Sequence, residues 1–335
     1  MTHVPAVLGA ARTAVRPAIR AAVERLESPL REVVGYHFGW LDEHGHPHDG
    51  GAGKGLRPAL ALLGARAAGG SDAEAIPPAV AVELVHNSSL VHDDLIDGDG
   101  ERHHRPTVWA VFGMPAAVLA GDALLTLAHE TVACDAGRAE AAGRTLATAT
   151  RRMLTGQAVD ISFERRADVA VDECVAMAEA KTAALLSAAC SLGSLWAGGS
   201  PALTTALGDY GHHLGLAFQF VDDLLGIWGT PDVTGKPVLT DLRTRKKSLP
   251  VVYALRSAGP EAAELAASYA RPDLDEDGLR RCADLVVAAG GRDWAEREAA
   301  TRLDLALGAL DAVPLAGDVR DELHEVAHYV TTRKR

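Results

Sequence analysis

The sequence contains few cysteines, few aromatic residues and no excess of positive charge. Aromatic side chains make up 4% of the 335 residues, and only four residues are cysteines. None of these cysteines forms a CxxC pair or has histidines at metal-binding spacing, which argues against a zinc site and a disulfide framework; they are Cys134, Cys174, Cys190 and Cys282. We therefore expect reduced cysteines in a cytoplasmic protein.

The net charge of −12 disfavours nucleic acid or an anionic membrane as the main partner. The N-terminal segment has arginines throughout its apolar stretch, unlike the apolar region of a signal peptide. An uncharged run, Thr182 to Gly208, contains the turn-like stretch Trp196 to Pro201, which predicts two core helices. We expect no transmembrane segment. A local group of cations or a bound metal would still allow an anionic small substrate.

Helical periodicity dominates the sequence, and strand-like alternation is almost absent. Ala- and Leu-rich windows favour helix by propensity and by pattern, and Gly- or Pro-rich breaks separate about ten predicted helices; the clearest windows are Pro58–Ala68, Val80–Asp94, Pro115–Ala133 and Lys181–Leu195. No linker or change in composition marks a second domain. The sequence predicts an all-α protein, a single large helical bundle over residues 1–335, with a helical segment of about residues 1–45 packing on it.

A first acidic cluster lies at the predicted end of a helix. Asp93 and Asp97 are four residues apart, so their carboxylates lie on one face, and Asp94 is adjacent. Like charges at a helix C-terminus repel each other and the helix dipole, unless a cation lies between them. Mg²⁺ suits such a site because it prefers carboxylate oxygens, water and substrate phosphates. This cluster alone leaves a solvated acidic helix end equally open.

A second acidic pair, Asp222 and Asp223, follows more than a hundred residues later. We expect Phe218 and its helical neighbours to face the core, with Gln219 and the two aspartates on another face. Basic groups alternate with the two acidic clusters along the chain, as a diphosphate site with metal-binding carboxylates requires; they are Lys54, Arg57, Arg102, Arg105, Lys181, Lys236 and Lys246.

Seven motifs occur in order over about residues 50 to 250: GK-x-LRP, H-x5-HDDxxD, R-x3-PT, GQ-x2-D, KT, FQ-x2-DD and GK-x4-D-x4-K. Together they resemble the trans-isoprenyl diphosphate synthases, also called polyprenyl synthetases. The resemblance implies an all-α bundle around a deep central cavity and a homodimer. It also implies a magnesium-dependent prenyltransferase that joins isopentenyl diphosphate to an allylic prenyl diphosphate.

The same resemblance implies three Mg²⁺ ions per active site. Asp93 and Asp97 would bind two of them and Asp222 the third, with Asp94 and Asp223 in support. It assigns to the allylic diphosphate Arg102, Lys181, Lys246 and Lys236, and to isopentenyl diphosphate Lys54, Arg57, His86 and His103. Thr182 and Gln219 would face the developing allylic cation.

Two positions depart from the family pattern. Gly226 stands where a third aspartate usually ends the second motif, so we expect weakened binding of the third ion. His103 stands where a second arginine commonly binds isopentenyl diphosphate, and histidine lacks the permanent bidentate fork of arginine. His104 or Arg105 would have to compensate.

These departures leave two alternatives open. A class I terpene cyclase ionises a single prenyl diphosphate, but normally has an NDxxSxxxE-type second motif, which this sequence lacks. A non-catalytic regulatory subunit of a prenyl synthase tends to lose an aspartate cluster, whereas the first cluster is complete here. Consumption of isopentenyl diphosphate distinguishes the elongating enzyme from both.

Product length in this family depends on what blocks the cavity below the first aspartates. Ser88 and Ser89, five and four residues before Asp93, are both small. Short-product enzymes often have an aromatic residue there. We therefore expect a C20 product, geranylgeranyl diphosphate, or a C15 product, unless neighbouring residues such as Leu125 or Phe163 close the cavity first.

Overall fold

The computed structural model describes residues 4–48, 50, 53, 55–102, 104–229, 238–271 and 273–332. Its described part contains sixteen α-helices, one π-helical turn and one two-stranded ribbon. The helices are α1 (Ala6–Val23), α2 (Leu30–His37), α3 (Leu56–Ala67), α4 (Ile76–Asp97), α5 (Val108–Phe112), α6 (Met114–Val132), α7 (Ala139–Phe163), α8 (Val171–Ala178), α9 (Ala184–Trp196), α10 (Pro201–Trp228), α11 (Thr240–Arg243), α12 (Leu249–Arg256), α13 (Pro260–Tyr269), α14 (Glu276–Ala288), α15 (Gly291–Asp311) and α16 (Gly317–Thr331).

The prediction of an all-helical chain is confirmed. The ribbon pairs β1 (Glu101–Arg102) with β2 (Arg105–Pro106) just after α4. The structure has more helices than the ten predicted, because short helices such as α5 and α11 have too few residues to show a period. All four windows assigned as helix coincide with helical segments. Two of them, Pro58–Ala68 and Pro115–Ala133, extend one residue past the helix end, and the start of Lys181–Leu195 falls in the π-helical turn, Glu179–Ala183.

The predicted division of the uncharged run is also confirmed. Helix α9 ends at Trp196 and α10 begins at Pro201 after Ser200, whose side chain accepts a hydrogen bond from the Leu203 N–H. One stretch of the described chain, Val171–Trp196, is long and apolar enough to span a membrane, but 61% of its most apolar window is buried within the protein. It packs against α3, α7 and α10 as a core segment.

Three clusters of buried apolar side chains hold the helices together. The largest contains buried side chains of the N-terminal helices α1 and α2 together with those of α3, α4, α6 and α9. A second cluster joins α8 and α10 to α12 and α15, and a third lies among α11 to α14. Long helices α4 and α10, which carry the two acidic motifs, are therefore fixed by packing along their length.

Candidate active site

Helix α4 positions the first acidic motif at its C-terminal end. The helix ends at Asp97 because Gly98 adopts a left-handed conformation with φ of 70°, and its N–H bonds to the Asp94 carbonyl. Asp93 and Asp97 are thus one turn apart on the same face, as predicted from the sequence.

Burial makes this motif electrostatically unfavourable in the absence of a cation. It raises the pKa of Asp93 to about 6, with a further rise from the Asp97 charge, while Lys181 acts in the opposite direction. Burial also raises the pKa of Asp97, and Lys181 and Lys246 again oppose the rise. The two lysines, which lie far along the sequence, therefore face the first motif across the site.

Asp94 has a different environment from its neighbours. Its side chain is 3% exposed and accepts a hydrogen bond from Arg102 Nε at 2.7 Å. Burial raises the Asp94 pKa, and Arg102 partly offsets that rise. Asp94 therefore fixes the guanidinium of Arg102, which belongs to β1.

The π-helical turn positions Lys181 and Thr182. A Cβ added at Gly156 of α7 would lie 2.7 Å from Lys181 Cα, and one at Gly215 of α10 would lie 2.5 Å from Ala183 Cα. Glycine on both neighbouring helices therefore allows the widened turn to pack closely. Single-turn π-bulges of this kind occur frequently at functional sites.

Two side chains of the π-helical turn form hydrogen bonds with neighbouring helices. Lys181 Nζ donates to Asp160 Oδ2 at 2.6 Å, which joins the GQ-x2-D motif to the KT motif. Thr182 Oγ1 donates to Gln219 Oε1 at 2.7 Å, and Gln219 Nε2 donates to Asp223 Oδ1 at 2.9 Å. Hydrogen bonds therefore link Thr182 of the turn to Gln219 and Asp223 of α10.

Asp223 is buried, and besides Gln219 it has two partners that follow α10 in the sequence. Its Oδ2 accepts from the Leu249 N–H at 2.8 Å, and its Oδ1 lies 3.3 Å from Lys246 Nζ. The carboxylates of Asp241, Asp223 and Asp222 hold the pKa of Lys246 well above its usual value, with Asp241 contributing most. Asp223 thus orients Lys246 and Gln219, whereas Asp222 is exposed at the cavity.

A cavity of about 490 Å³ is lined by one aspartate of each motif, Asp94 and Asp222, and by residues predicted to bind isopentenyl diphosphate. Its lining includes Arg57, His86, Arg102 and Asp222. It also includes Phe218, which is half-buried and packs against the largest core cluster, so this ring contacts the core as predicted and also lines the cavity.

His86 differs in charge from Arg57, to which the sequence assigns the same substrate. Burial, together with Arg57 and Arg102, lowers its pKa well below the usual 6.5. At neutral pH the ring is therefore uncharged, and it can bind a phosphate oxygen only through an N–H. Of the described residues that are assigned to the substrates, Arg57 and Arg102 provide the positive charge at this end of the cavity.

His104 and Arg105, the two residues suggested as substitutes for the missing arginine, are engaged elsewhere or exposed in the structure. His104 is exposed, with φ of 60°. Arg105 lines the cavity but donates to the carbonyls of Tyr36 and Leu41, both at 3.3 Å, and stacks over the Tyr36 ring. Arg105 therefore fixes the surrounding loops. Three predicted site residues lie outside the described residues: Lys54, His103 and Lys236.

Sequence patterns missed a buried pair beside His86. His37 Nε2 and Asn87 Oδ1 form a hydrogen bond of 2.9 Å, and burial lowers the His37 pKa to about 4. Asn87 Nδ2 also donates to the Glu83 carbonyl at 2.8 Å. No motif includes His37, since only the packing of α2 on α4 brings it to the cavity.

Ser88 is buried and Ser89 half-buried, and neither lines the cavity.

The donor set fits magnesium rather than a transition metal. No group of three or more His, Cys, Asp or Glu side chains in the described residues is arranged to enclose an ion. Mg²⁺ does not need such a cage, because it keeps several waters and binds through one or two carboxylates plus substrate phosphates. Half-buried Asp93 with exposed Asp97 provides such an open pair of oxygen ligands.

Comparison with known proteins agrees with this geometry. The sequence pattern of the polyprenyl synthetase family matches residues 40–286. The chain belongs to the polyprenyl synthetase family. It is 47% identical to a (2E,6E)-farnesyl diphosphate synthase of Mycobacterium tuberculosis, covering 98% of this chain and 93% of that protein. It is 45% identical to a geranylgeranyl diphosphate synthase of the same organism, covering 92% and 89%. Members of this family are trans-prenyltransferases, so the chain is an enzyme of that class.

Solved structures confirm the fold of this family member. A polyprenyl synthetase from Streptomyces coelicolor superimposes with a TM-score of 0.94 at 47% identity, covering 98% of this chain and 100% of the other. A geranylgeranyl pyrophosphate synthase from Corynebacterium glutamicum, complexed with isoprenyl diphosphate and magnesium, superimposes with a TM-score of 0.83 at 27% identity, covering 99% and 100%. The family is magnesium-dependent, in agreement with the donor set described above.

Proposed function

We propose that this polyprenyl synthetase condenses isopentenyl diphosphate with an allylic prenyl diphosphate to give a C15 or C20 product. One observation carries the proposal: a single cavity extends from Arg57 and His86 to Asp222 and Arg102. An enzyme that ionises one prenyl diphosphate needs only the acidic end. A second anion-binding end in the same cavity is what a condensation requires.

At the acidic end, we propose that Asp93, Asp97 and Asp222 hold three Mg²⁺ ions, with Asp94 and Asp223 orienting the neighbouring cations. Bound Mg²⁺ would neutralise charge on the departing diphosphate. Arg102, Lys181 and Lys246 would bind the oxygens of the same group. Asp160 and Asp223 keep the two lysines in place, at 2.6 and 3.3 Å. Fixed cations in a site without water stabilise developing charge more strongly than solvent does.

Beside the reacting carbons, the Thr182–Gln219 pair provides neutral dipoles. Its hydrogen bond of 2.7 Å fixes both oxygens without adding a nucleophile that would capture the allylic cation. Phe218 lines the cavity between the two ends and helps to exclude water, which would convert the cation to an alcohol. At the other end, Arg57 and the neutral His86 would hold isopentenyl diphosphate so that its double bond attacks.

The two alternatives lack such support. The first acidic cluster is complete and pairs with Arg102, and Asp223 of the second pairs with Lys246, contacts that a regulatory subunit would not need. The cyclase alternative gives no use for the Arg57 and His86 end of the cavity. Thermal stabilisation by Mg²⁺ with an unreactive diphosphate analogue would further oppose the regulatory alternative.

The test is a product assay with Mg²⁺, isopentenyl diphosphate and, separately, C5, C10 and C15 allylic diphosphates. Mass spectrometry should show products longer by one or more C5 units and ending at C15 or C20. Arg57→Met should raise the KM for isopentenyl diphosphate more than that for the allylic partner. A hydrocarbon formed from one prenyl diphosphate alone would reject the proposal.

Three further parts of the proposal concern the whole chain. We propose that residues 1–335 form one domain, that the protein is cytoplasmic, and that it works as a homodimer. Large apolar side chains on α6 support the homodimer, since Met114 is 61%, Val118 44% and Leu119 58% exposed. Exposed apolar groups clustered on one helix are typical of an interaction surface.

A further inference from the structure

A second cavity lies beside the candidate active site, between α1 and the start of α3. Its volume is about 570 Å³, which is within the range of about 300–1,000 Å³ that is typical of small-molecule sites. Phe38, Gly55 and Glu83 line both cavities, so they form part of the wall between them. Among the described residues, none that the sequence assigns to a substrate lines the second cavity. The proposed condensation therefore leaves this cavity unused.

The rim of the second cavity is basic. Arg12, Arg16 and Arg20 lie four residues apart along α1, so they lie on one face of the helix, and all three are exposed. Helix α1 contains no acidic residue, although the whole chain has a net charge of −12. The three guanidinium groups therefore give a local positive charge that attracts an anion such as a diphosphate.

The base of the same cavity is apolar. It includes Val15 and Ile19, which are buried, together with Phe38 and Trp40. The two aromatic rings stack with their centroids 4.7 Å apart, and the Arg20 guanidinium lies 5.0 Å from the centroid of the Trp40 ring. Phe38 is only 4% and Trp40 only 6% exposed, so no ring face is left on which a nucleobase could stack. The cavity instead suits an aliphatic group joined to an anion.

Helix α1 also contacts the segment that leads into the candidate active site. Gly55 precedes α3 with φ of 71°, and a Cβ added there would lie 2.8 Å from the Leu8 carbonyl oxygen and 3.2 Å from Arg12 Cβ. Two residues later, Arg57 lines the first cavity, where it is assigned to isopentenyl diphosphate. A ligand that moves α1 at Arg12 would therefore change the position of Arg57.

We propose that the cavity between α1 and α3 is a second binding site for a prenyl diphosphate, with its aliphatic chain on the apolar base and its diphosphate between Arg12 and Arg20. The identity of the ligand rests on the proposed function, since prenyl diphosphates are the aliphatic anions that such an enzyme binds and releases. Guanidinium groups bind the diphosphate here, so binding does not need Mg²⁺. Occupation of the site moves α1 and weakens the binding of isopentenyl diphosphate at Arg57.

The first test measures binding in EDTA, which removes the Mg²⁺ that an allylic diphosphate needs in the active site. Isothermal titration calorimetry with farnesyl thiolodiphosphate, an analogue that ionises poorly, should show one site per chain. Arg12→Gln/Arg20→Gln should weaken this binding about 10-fold or more, because two charged contacts are lost. Arg151→Gln/Arg297→Gln is the control, since it removes two exposed arginines from α7 and α15 and should leave the affinity unchanged.

The second test fills the cavity without removing a charge. Thr13 is exposed on α1 and lines the cavity, so Thr13→Trp should block the aliphatic chain, whereas Ala14→Trp adds the same ring outside the cavity. With Mg²⁺ and saturating geranyl diphosphate, farnesyl thiolodiphosphate should raise the KM for isopentenyl diphosphate in the wild type and in Ala14→Trp. It should not do so in Thr13→Trp, whose kcat without the analogue should match that of the wild type.

Several results would overturn the inference. They are no binding by the wild type in EDTA, equal binding in Arg12→Gln/Arg20→Gln, and a KM effect that persists in Thr13→Trp. Inorganic diphosphate that binds as tightly as the analogue would show that the aliphatic chain has no role. Sedimentation with phosphatidic acid vesicles that depends on the same two arginines would identify a lipid surface as the ligand instead. A wild type that consumes no isopentenyl diphosphate with Mg²⁺ would reject the proposed function, whereas binding in EDTA is measured without that reaction.

Discussion

At the residue scale, burial and charge both act against the ionised form of Asp93 when no cation is bound. Burial raises its pKa from 3.8 to about 6, and Asp97 adds to the rise. One pKa unit corresponds to about 1.4 kcal/mol, so ionising this side chain costs the folded protein up to about 3 kcal/mol. The same carboxylate is assigned to hold Mg²⁺. The chain therefore accepts lower stability at this position, as functional sites often do.

Asp93→Asn should stabilise the metal-free protein at pH 7 by about 1–3 kcal/mol, measured as the free energy of unfolding in urea. The folded-state pKa is raised, so protonation stabilises the wild type fully below its unfolded pKa of 3.8, and this stability is lost as the pH rises through about 6. The gain from the substitution should therefore disappear below about pH 4.

The matched control is Asp304→Asn, which removes an exposed carboxylate from α15. It should change stability by less than about 0.5 kcal/mol at either pH. Stabilisation by Mg²⁺ with a bisphosphonate should be lost in Asp93→Asn and kept in Asp304→Asn. A destabilised metal-free Asp93→Asn protein would contradict the electrostatic account of the first motif.

At the element scale, close helix packing positions Lys181, which we propose binds the allylic diphosphate. Gly156 of α7 lies against the backbone of the π-helical turn, where an added Cβ would be 2.7 Å from Lys181 Cα. Gly156→Ala should therefore displace Lys181 and Thr182. We expect a loss of about 1–3 kcal/mol in the free energy of unfolding, together with a lower kcat.

Gly143→Ala is the control on the same helix, because nothing lies within 4 Å of an added Cβ at that position. It should raise stability by up to about 1 kcal/mol through helix propensity and leave kcat unchanged. Equal effects of the two substitutions would show that the close contact between α7 and the turn has no role in positioning Lys181.

We propose that the side chain one turn before Asp93 on α4 sets the product length. Ser89 is half-buried on the same helix face as Asp93, whereas Ser88 is 3% exposed and lies on a different face. Ser89→Phe should shorten the main product by at least one C5 unit, measured by chromatography of the dephosphorylated products. Ser88→Phe should instead overpack the core at a cost of about 1–3 kcal/mol. Unchanged products in Ser89→Phe would place the cavity floor on another helix.

Sequence reasoning succeeded for features that depend on one helix. The spacing of Asp93 and Asp97 and the break at Gly98 follow from helical geometry alone, and the structure places them accordingly. It failed where the answer depends on which helices meet. The contact of the Asp241 carboxylate with Gly226, and the presence of His37 at the cavity, both require the tertiary packing. The lowered pKa of His86 could not be predicted either, because its burial and its arginine neighbours are not visible in the motif.

At the scale of the whole molecule, the exposed apolar side chains of α6 predict assembly. Leu119→Glu places a charge in the proposed dimer surface and should convert the protein to a monomer, measured by sedimentation equilibrium. Leu305→Glu is the control, since Leu305 is 46% exposed on α15 and should accept the charge without a change in mass. A Leu119→Glu dimer as stable as the wild type would place the interface elsewhere.

The central claim is that one cavity binds both an allylic diphosphate and isopentenyl diphosphate and condenses them. The most direct measurement is the ratio of isopentenyl diphosphate consumed to inorganic diphosphate released, with Mg²⁺ and a C10 allylic partner. We predict a one-to-one ratio throughout the reaction, because each ionisation is followed by capture of the cation by isopentenyl diphosphate. Release of diphosphate without consumption of isopentenyl diphosphate would contradict the account, since it would show ionisation without condensation.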